Sequence, residues 1–197
     1  APSQVAKLAE DGDIILIEAS TYIGDVTVWR QHNLTIRGIG GQAKIIAAGK
    51  AAEQKAIWVV KGNNMIISNV AFEGAKVNDR NGAGIRSEGD NLTIKQCLFQ
   101  NNENGILIGK RPNSDIVIEH SEFNNNGFGD GYSHNIYIGQ VNSLTLRFNY
   151  IHSAHKGHQI KSRAAKNYIL YNRIADGELR DSSYLVDLPN GGLSYII

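Results

Sequence analysis

The sequence predicts an all-β solenoid, a parallel β-helix, from a repeat, the strand pattern within it and the residues at its turns. A four-residue segment of the type Asn-Leu-Thr-Ile recurs along the 197 residues, with copies that begin at Asn33, Asn64, Asn91, Asp115, Ser143 and Asn167. The intervals between copies average about 27 residues, which is typical of solenoids. Apolar residues lie two apart in each copy, as in Leu34 and Ile36, and this alternation indicates a short strand.

Each repeat contains two further predicted strands. After a corner residue such as Asn69 or His120, a second strand carries the inward pairs Val70/Phe72, Cys97/Phe99, Ser121/Phe123 and Asn149/Ile151. A third strand begins at the apolar anchors Ile57, Ile85, Ile106, Ile136, Ile160 and Leu185. Apolar spacing near 3.6 residues is missing after the first few residues, which excludes helical repeats. We therefore predict one domain over residues 1–197, with about seven or eight coils of three short strands each.

The open ends of a solenoid expose core and unpaired backbone, so they need covering. Residues 1–12 are predicted to cap the first coil, with a short amphipathic helix over Gln4 to Glu10. The final residues, Tyr195-Ile196-Ile197, form an apolar strand-like run without a visible cap. We therefore expect an oligomeric partner or a further segment to cover the last coil.

The composition excludes several classes of protein. A hydrophobic content of 42% with a formal net charge of +1 excludes a disordered chain and gives no global attraction to nucleic acid or a membrane surface. No apolar run approaches the ~20 residues of a membrane helix. The single cysteine, Cys97, lacks the companions of a disulfide or zinc site and is predicted to be a small core residue. The 20 Asn and 21 Gly suit the corners of coils, because both tolerate left-handed backbone.

The opening segment, Gly12-Asp-Ile-Ile-Leu-Ile-Glu-Ala-Ser-Thr-Tyr-Ile-Gly-Asp, is followed by coils such as Asn91-Leu-Thr-Ile-Lys-Gln-Cys-Leu-Phe-Gln-Asn-Asn. These segments resemble the right-handed parallel β-helix of the pectate-lyase-like superfamily. The resemblance covers nearly the whole chain and implies a right-handed coil, a carbohydrate-active protein and a secreted or periplasmic bacterial location. It does not fix the activity, because lyases, hydrolases, epimerases, esterases and non-catalytic adhesins share this fold.

A candidate site lies on the outward face of the third strand, where alternation turns the residues after the anchors away from the core. Four of the six histidines fall within residues 134–158, and His134 and His158 occupy the same repeat position. We also expect the residues one before and three after each anchor to face outward. The predicted catalytic residues are His134, Tyr137, His158, Lys161 and Arg163, and the predicted substrate-binding residues are Arg86, Glu88, Asn135, His155 and Gln159.

Cationic and aromatic side chains on an open groove suit β-elimination of an acidic, uronate-containing polysaccharide. Arg163 or Arg86 would neutralise the sugar carboxylate through a bidentate pair. Lys161 or His158 would then remove the adjacent carbon proton, and Tyr137 or His134 would protonate the leaving oxygen. A C5-epimerase shares the first step and reprotonates from the opposite face. The expected function is therefore that of a polysaccharide lyase or C5-epimerase.

Other interpretations stay open. A non-catalytic carbohydrate-binding or adhesion solenoid, or an ordinary solvated sheet face, would use the same residues without chemistry. Glycoside hydrolysis needs two facing carboxyl groups, for which the loop residues are Asp130, Asp176 and Asp181. No metal site is predicted at His155 and His158, since no carboxylate cluster accompanies them. A possible cofactor is Ca²⁺, bound by the Asn-rich loops 101–104 and 124–130, and the alternative there is turn-forming Asn.

Overall fold

The computed structural model describes residues 1–178 and 181–197, and in these residues one short helix, α1 (Pro2–Val5), is followed only by β-strands, turns and loops. The predicted helix over Gln4 to Glu10 is wrong in position, because the helix starts at Pro2 and ends at Val5. Proline is well suited to a first helical turn, where its missing N–H would have no partner. Ala6, just after the helix, is buried against the apolar core.

The strands form three parallel sheets that the chain visits in turn, which is the topology of a parallel β-helix. The first sheet contains β1 (Ile14–Glu18), β4 (Thr35–Ile39), β7 (Met65–Ser68), β10 (Leu92–Lys95), β13 (Arg111–Glu119), β16 (Val141–Arg147), β19 (Lys166–Leu170) and β22 (Leu193–Ile196). The second contains β2 (Thr21–Ile23), β5 (Ala43–Ile46), β8 (Val70–Glu73), β11 (Leu98–Gln100), β14 (Glu122–Asn124), β17 (Tyr150–His152) and β20 (Arg173–Ala175). The third contains β3 (Thr27–Trp29), β6 (Ala56–Val60), β9 (Ala83–Ser87), β12 (Asn104–Ile108), β15 (Ile136–Ile138), β18 (His158–Ser162) and β21 (Tyr184–Asp187).

The core lies between the sheets and consists of inward side chains stacked from coil to coil. In the second sheet the rings of Phe72, Phe99 and Phe123 stack with centroids 5.1 and 4.6 Å apart. Such aromatic pairs stabilise neighbouring strands beyond the area that they bury. Cys97 is buried, as predicted, and burial raises the pKa of its thiol to about 12. The inward pairs predicted for the second strand are therefore confirmed.

The corner between the first and second sheets uses left-handed backbone at one residue per coil. Asn69, Gln96, His120, Phe148 and Tyr171 have φ values between 49 and 59°. This conformation is unfavourable for a bulky residue such as Phe148. The Phe148 ring stacks between the rings of His120 and Tyr171, at 5.1 and 5.7 Å, and these contacts help to offset the backbone strain.

The register of the third sheet agrees with prediction in the middle coils and differs at β6 and β21. Ile85, Ile106, Ile136 and Ile160 pair in sequence as expected. However, Trp58 rather than Ile57 pairs with Ile85, and Val186 rather than Leu185 pairs with Ile160. The second of these shifts turns Asp187 outward, next to Lys161. Within the described residues, no helix has the length and apolar character to cross a membrane.

Candidate functional site

The outward column of the third sheet brings the central site residues onto neighbouring coils. Strand pairing places Arg86, Leu107, Tyr137, Lys161 and Asp187 one above another. A groove of about 530 Å³, the Tyr137 groove, covers the middle of this column. Its floor is formed by Asn104, Leu107, His134, Tyr137, Lys161 and Arg163, and the loops after β8 and β14 add Asp79, Arg80, Asp130 and Tyr132. Four of the five predicted catalytic residues thus line one groove.

His134 has a fixed tautomer. Its Nδ1 accepts the backbone N–H of His158 at 2.9 Å, so the ring proton lies on Nε2. Burial lowers the pKa of His134 to about 3, and the charges of His158 and Lys161 act in the same direction. The ring also stacks on those of His158 and Tyr137, with centroids 4.6 and 5.8 Å apart. His134 is therefore a neutral imidazole that can donate one hydrogen bond through Nε2.

His158 is held by the carboxylate of Asp187. Its Nε2 lies 3.1 Å from Asp187 Oδ2, and Lys161 Nζ lies 3.3 Å from the same oxygen. Burial, followed by the charge of Lys161, lowers the pKa of His158. The predicted role of His158 as a base requires contact with the substrate, but its side chain is only 9% exposed and is not part of the groove lining. It therefore supports His134 and orients Asp187, whereas Lys161 reaches the groove.

The prediction that Asn135 and Gln159 face outward is wrong. Both side chains are fully buried, and Asn135 Nδ2 donates to Gln159 Oε1 at 2.6 Å. Asn135 Oδ1 also accepts Asn126 Nδ2 at 2.7 Å, so the amides form a ladder inside the corner before the third sheet. Both residues lie where the chain enters the third sheet, and their side chains point into that corner. These two amides cannot contact a substrate in the Tyr137 groove.

Three other predicted substrate-binding residues lie outside the groove lining. Arg86 shares the outward column but is separated from Tyr137 by Leu107. Glu88 accepts Lys55 Nζ at 2.6 Å within a surface ion-pair network. His155 Nδ1 lies 2.7 Å from Asp181 Oδ2, on the far side of the loop after β14. Their substrate-binding roles stay predictions, and the geometry of the groove gives them no part in its centre.

Asn104 is a site residue that the sequence interpretation missed. Its side chain is 1% exposed, and Oδ1 accepts the backbone N–H of His134 at 2.8 Å. The Nδ2 group has no partner among the described residues although Asn104 lines the groove. The sequence does contain a signal for Asn104. It lies at the same repeat position as Ala83, with which it pairs, so it places an amide where the neighbouring coil has a methyl group.

The three loop carboxylates proposed for hydrolysis, and the Asn-rich loops proposed for Ca²⁺, have different surroundings. Asp130 does line the groove, whereas Asp181 pairs with His155 and Asp176 accepts the backbone N–H of Ser182. Among the described residues, no three His, Cys, Asp or Glu side chains are grouped so as to hold a metal ion. In the Asn-rich loops, Asn102 Nδ2 donates to Asn126 Oδ1 at 3.0 Å, so these two amides serve the buried ladder.

The fold and the site together define a parallel β-helix with one localised polar groove on its third sheet. A protein-family model described as a right-handed β-helix region matches residues 13–174. Because this match covers more than half of the chain, the protein belongs to that family, and the predicted right-handed coil is confirmed. Neither a search of curated proteins nor a search of solved structures gives a match.

Proposed function

We propose that the protein acts on a uronate-containing polysaccharide at the Tyr137 groove, by removing the proton at C5 of a uronate unit. The observation that carries this proposal is the convergence of Tyr137 and Lys161, paired across adjacent strands, with Arg163 and His134 in one groove. Elimination of the adjacent glycosidic oxygen would make the protein a lyase. Reprotonation from the opposite face would make it a C5-epimerase.

The positions of the side chains support separate roles. Arg163 and Lys161 supply positive charge for the sugar carboxylate, and Asn190 Oδ1 holds the Arg163 guanidinium at 2.6 Å. Neutral His134 donates from Nε2 to the same carboxylate or to the enediolate that follows proton loss. Because Nδ1 of His134 is already an acceptor for backbone, the proton-transfer role falls to Tyr137, whose phenolate would remove the C5 proton and whose resulting phenol would protonate the leaving oxygen.

This assignment replaces the expected base. His158 was a candidate base, but its Nε2 faces Asp187 and its ring is buried behind His134. Lys161 forms an ion pair with Asp187, with Nζ 3.3 Å from Oδ2. A charged ammonium suits carboxylate neutralisation better than proton removal. The Asp187 carboxylate is thus a positioning group for both Lys161 and His158.

Glycoside hydrolysis is a second candidate, favoured by a specific observation. Asp79 and Asp130 both line the Tyr137 groove, from the loops after β8 and β14, and hydrolysis requires a pair of carboxyl groups across the scissile bond. In that reaction one carboxyl protonates the leaving oxygen and the other activates water or attacks the sugar. Tyr137 and the cations would then bind substrate without transferring the C5 proton.

Incubation of the protein with alginate, pectate and related uronates in deuterated water distinguishes these reactions. A lyase produces unsaturated ends that absorb ultraviolet light, and an epimerase incorporates deuterium at C5 without chain cleavage. A hydrolase produces new reducing ends without either signal, and a binding protein retains the polymer unchanged. We expect unsaturated ends or C5 deuterium from at least one uronate polymer.

The matched variants are Tyr137→Phe and Tyr168→Phe. Loss of the Tyr137 hydroxyl should lower turnover at least ~100-fold, the usual effect of losing a general acid–base group. Tyr168 lies on β19 in the first sheet and stacks on Tyr195, so its hydroxyl can be removed without touching the groove. Full activity of Tyr137→Phe, or reducing ends as the sole product, would overturn the proton-abstraction proposal.

A further inference from the structure

A second group of chemically matched side chains lies outside the Tyr137 groove, at the end of β17. Ser153 Oγ is 2.9 Å from His152 Nδ1, and His152 Nε2 is 3.3 Å from Glu122 Oε1. The three residues belong to the second sheet and to the corner that follows it. A hydroxyl, an imidazole and a carboxylate in this order form the nucleophile, base and orienting group of an acyl-transfer site.

The contacts select one tautomer for His152. Glu122 is an acceptor when ionised, so Nε2 carries the ring proton and donates it to the carboxylate. The lone pair of Nδ1 then faces Ser153 Oγ and can accept its proton. The Tyr150 ring stacks on the imidazole with a centroid distance of 3.9 Å. The Arg173 guanidinium also lies over the Tyr150 ring, 4.6 Å from its centroid. The imidazole is therefore fixed in plane and in tautomer.

Ser153 is both strained and accessible. Its φ of 56° lies in the left-handed region, which non-glycine residues adopt mainly where the surroundings enforce it. A cavity of about 400 Å³, the Ser153 cavity, is lined by Tyr150, His152, Ser153, Gly177, Glu178 and Asp181. A Cβ added to Gly177 would lie 2.2 Å from Ser153 Oγ, so only glycine at this position leaves the hydroxyl open to the cavity.

We propose that Ser153, His152 and Glu122 form a second, independent site that hydrolyses short-chain carboxylic esters. Ser153 Oγ attacks the ester carbonyl carbon while its proton moves to His152 Nδ1. Collapse of the tetrahedral intermediate breaks the bond to the alcohol oxygen, which leaves with that proton. Water, deprotonated by the same Nδ1, then attacks the acyl-serine, and the carboxylic acid departs as Ser153 regains its proton. Ester and water are thereby converted to acid and alcohol.

The surroundings restrict the class of ester. Glu122, Glu178 and Asp181 place three carboxylates around the Ser153 cavity, so an anionic ester is disfavoured. The cavity volume is near the lower end of the range for ligand sites, which favours a small acyl group such as acetyl. The Tyr150 ring already contacts the His152 imidazole and the Arg173 guanidinium, so this ring supplies a wall and not a stacking platform for a sugar.

The experiment is covalent labelling with a small alkyl fluorophosphonate, in which serine oxygen bonds to phosphorus and fluoride leaves. We expect the native chain to take up one label, located on Ser153 by peptide mass mapping, and to hydrolyse p-nitrophenyl acetate. Ser153→Gly removes the hydroxyl and tolerates left-handed backbone, so it should fold and lose the label. Ser143→Ala is the matched control, because Ser143 Oγ donates to Asp115 and has no histidine partner among its described contacts.

His152→Gln should slow labelling at least ~100-fold, as expected for loss of the base. Glu122 is a positioning residue, so Glu122→Gln should lower kcat for the acetate ester and leave KM unchanged. An unlabelled native chain, a label on another residue, or equal labelling of Ser153→Gly would overturn the proposal. These probes contain no uronate, so their failure leaves proton abstraction in the Tyr137 groove untouched.

Discussion

The state of His134 predicts a specific loss of stability in acid. In the unfolded chain this imidazole takes up a proton near its ordinary pKa of 6.5, but in the folded chain burial and neighbouring positive charge hold the pKa at about 3. Between these values the unfolded state binds more protons, so the free energy of unfolding falls as the pH falls. The contribution is complete above pH 6.5 and is lost progressively towards pH 3.

The magnitude follows from linkage. Each pH unit within the window changes stability by about 1.4 kcal/mol per proton, and integration between pH 6.5 and 4.5 gives about 2.3 kcal/mol for His134. His134→Asn removes the titrating ring and retains an oxygen that can accept the His158 N–H in place of Nδ1. Native protein should therefore lose about 2.3 kcal/mol more stability than His134→Asn over this pH interval.

Urea unfolding at pH 6.5 and pH 4.5, followed by circular dichroism, measures this difference as a change in midpoint at constant m. Tyr137→Phe is the control, because it keeps the imidazole and the stacked ring beside it. Its acid loss should equal that of the native protein. Equal pH dependence of native protein and His134→Asn would refute the assignment of His134 as a buried neutral imidazole.

Two further predictions concern the interior. Asn126→Ala should lower the free energy of unfolding by about 2–6 kcal/mol in urea titrations, because it removes the side-chain partner of several buried groups, including the backbone N–H of Asn102 and the carbonyl of Phe99. The surface control Asn142→Ala should change it by less than ~0.5 kcal/mol. A loss below ~1 kcal/mol for Asn126→Ala would contradict the ladder. Cys97 should resist a thiol-specific disulfide reagent at pH 8 and react on unfolding, since burial raises its pKa to about 12; rapid reaction of the folded chain would contradict its core position.

Most of the fold could be predicted because a solenoid repeats the same local pattern. Alternation within each strand identifies the inward residues of the second sheet without knowledge of distant contacts. Alternation does not identify the inward residue where two adjacent residues are both apolar. Ile57 and Trp58 are both fully buried, so alternation cannot select the one that pairs with Ile85. Leu185 and Val186 present the same ambiguity, and the choice between them decides where Asp187 points.

The candidate site was predictable only in part. Tyr137 and Lys161 follow clear apolar anchors, so their outward direction is a local property of the strand. The contribution of Asp79 and Arg80 depends on how a loop crosses the sheet, and no repeat specifies that path. Asn135 was misplaced because its partners are amides on other coils, which pattern alone does not connect to it.

The buried amides nevertheless affect both the Tyr137 groove and the Ser153 cavity, because they hold the backbone next to each of them. Gln159 Oε1 accepts Asn135 Nδ2 at 2.6 Å and the backbone N–H of Ala154 at 3.2 Å. Asn135 adjoins His134, whereas Ala154 follows Ser153 directly. One fully buried amide thus fixes the start of the strand that carries Lys161 and the corner that carries Ser153. The two contacts of Gln159 Oε1 therefore help to hold the strained backbone at Ser153 and the register that aligns Tyr137 with Lys161.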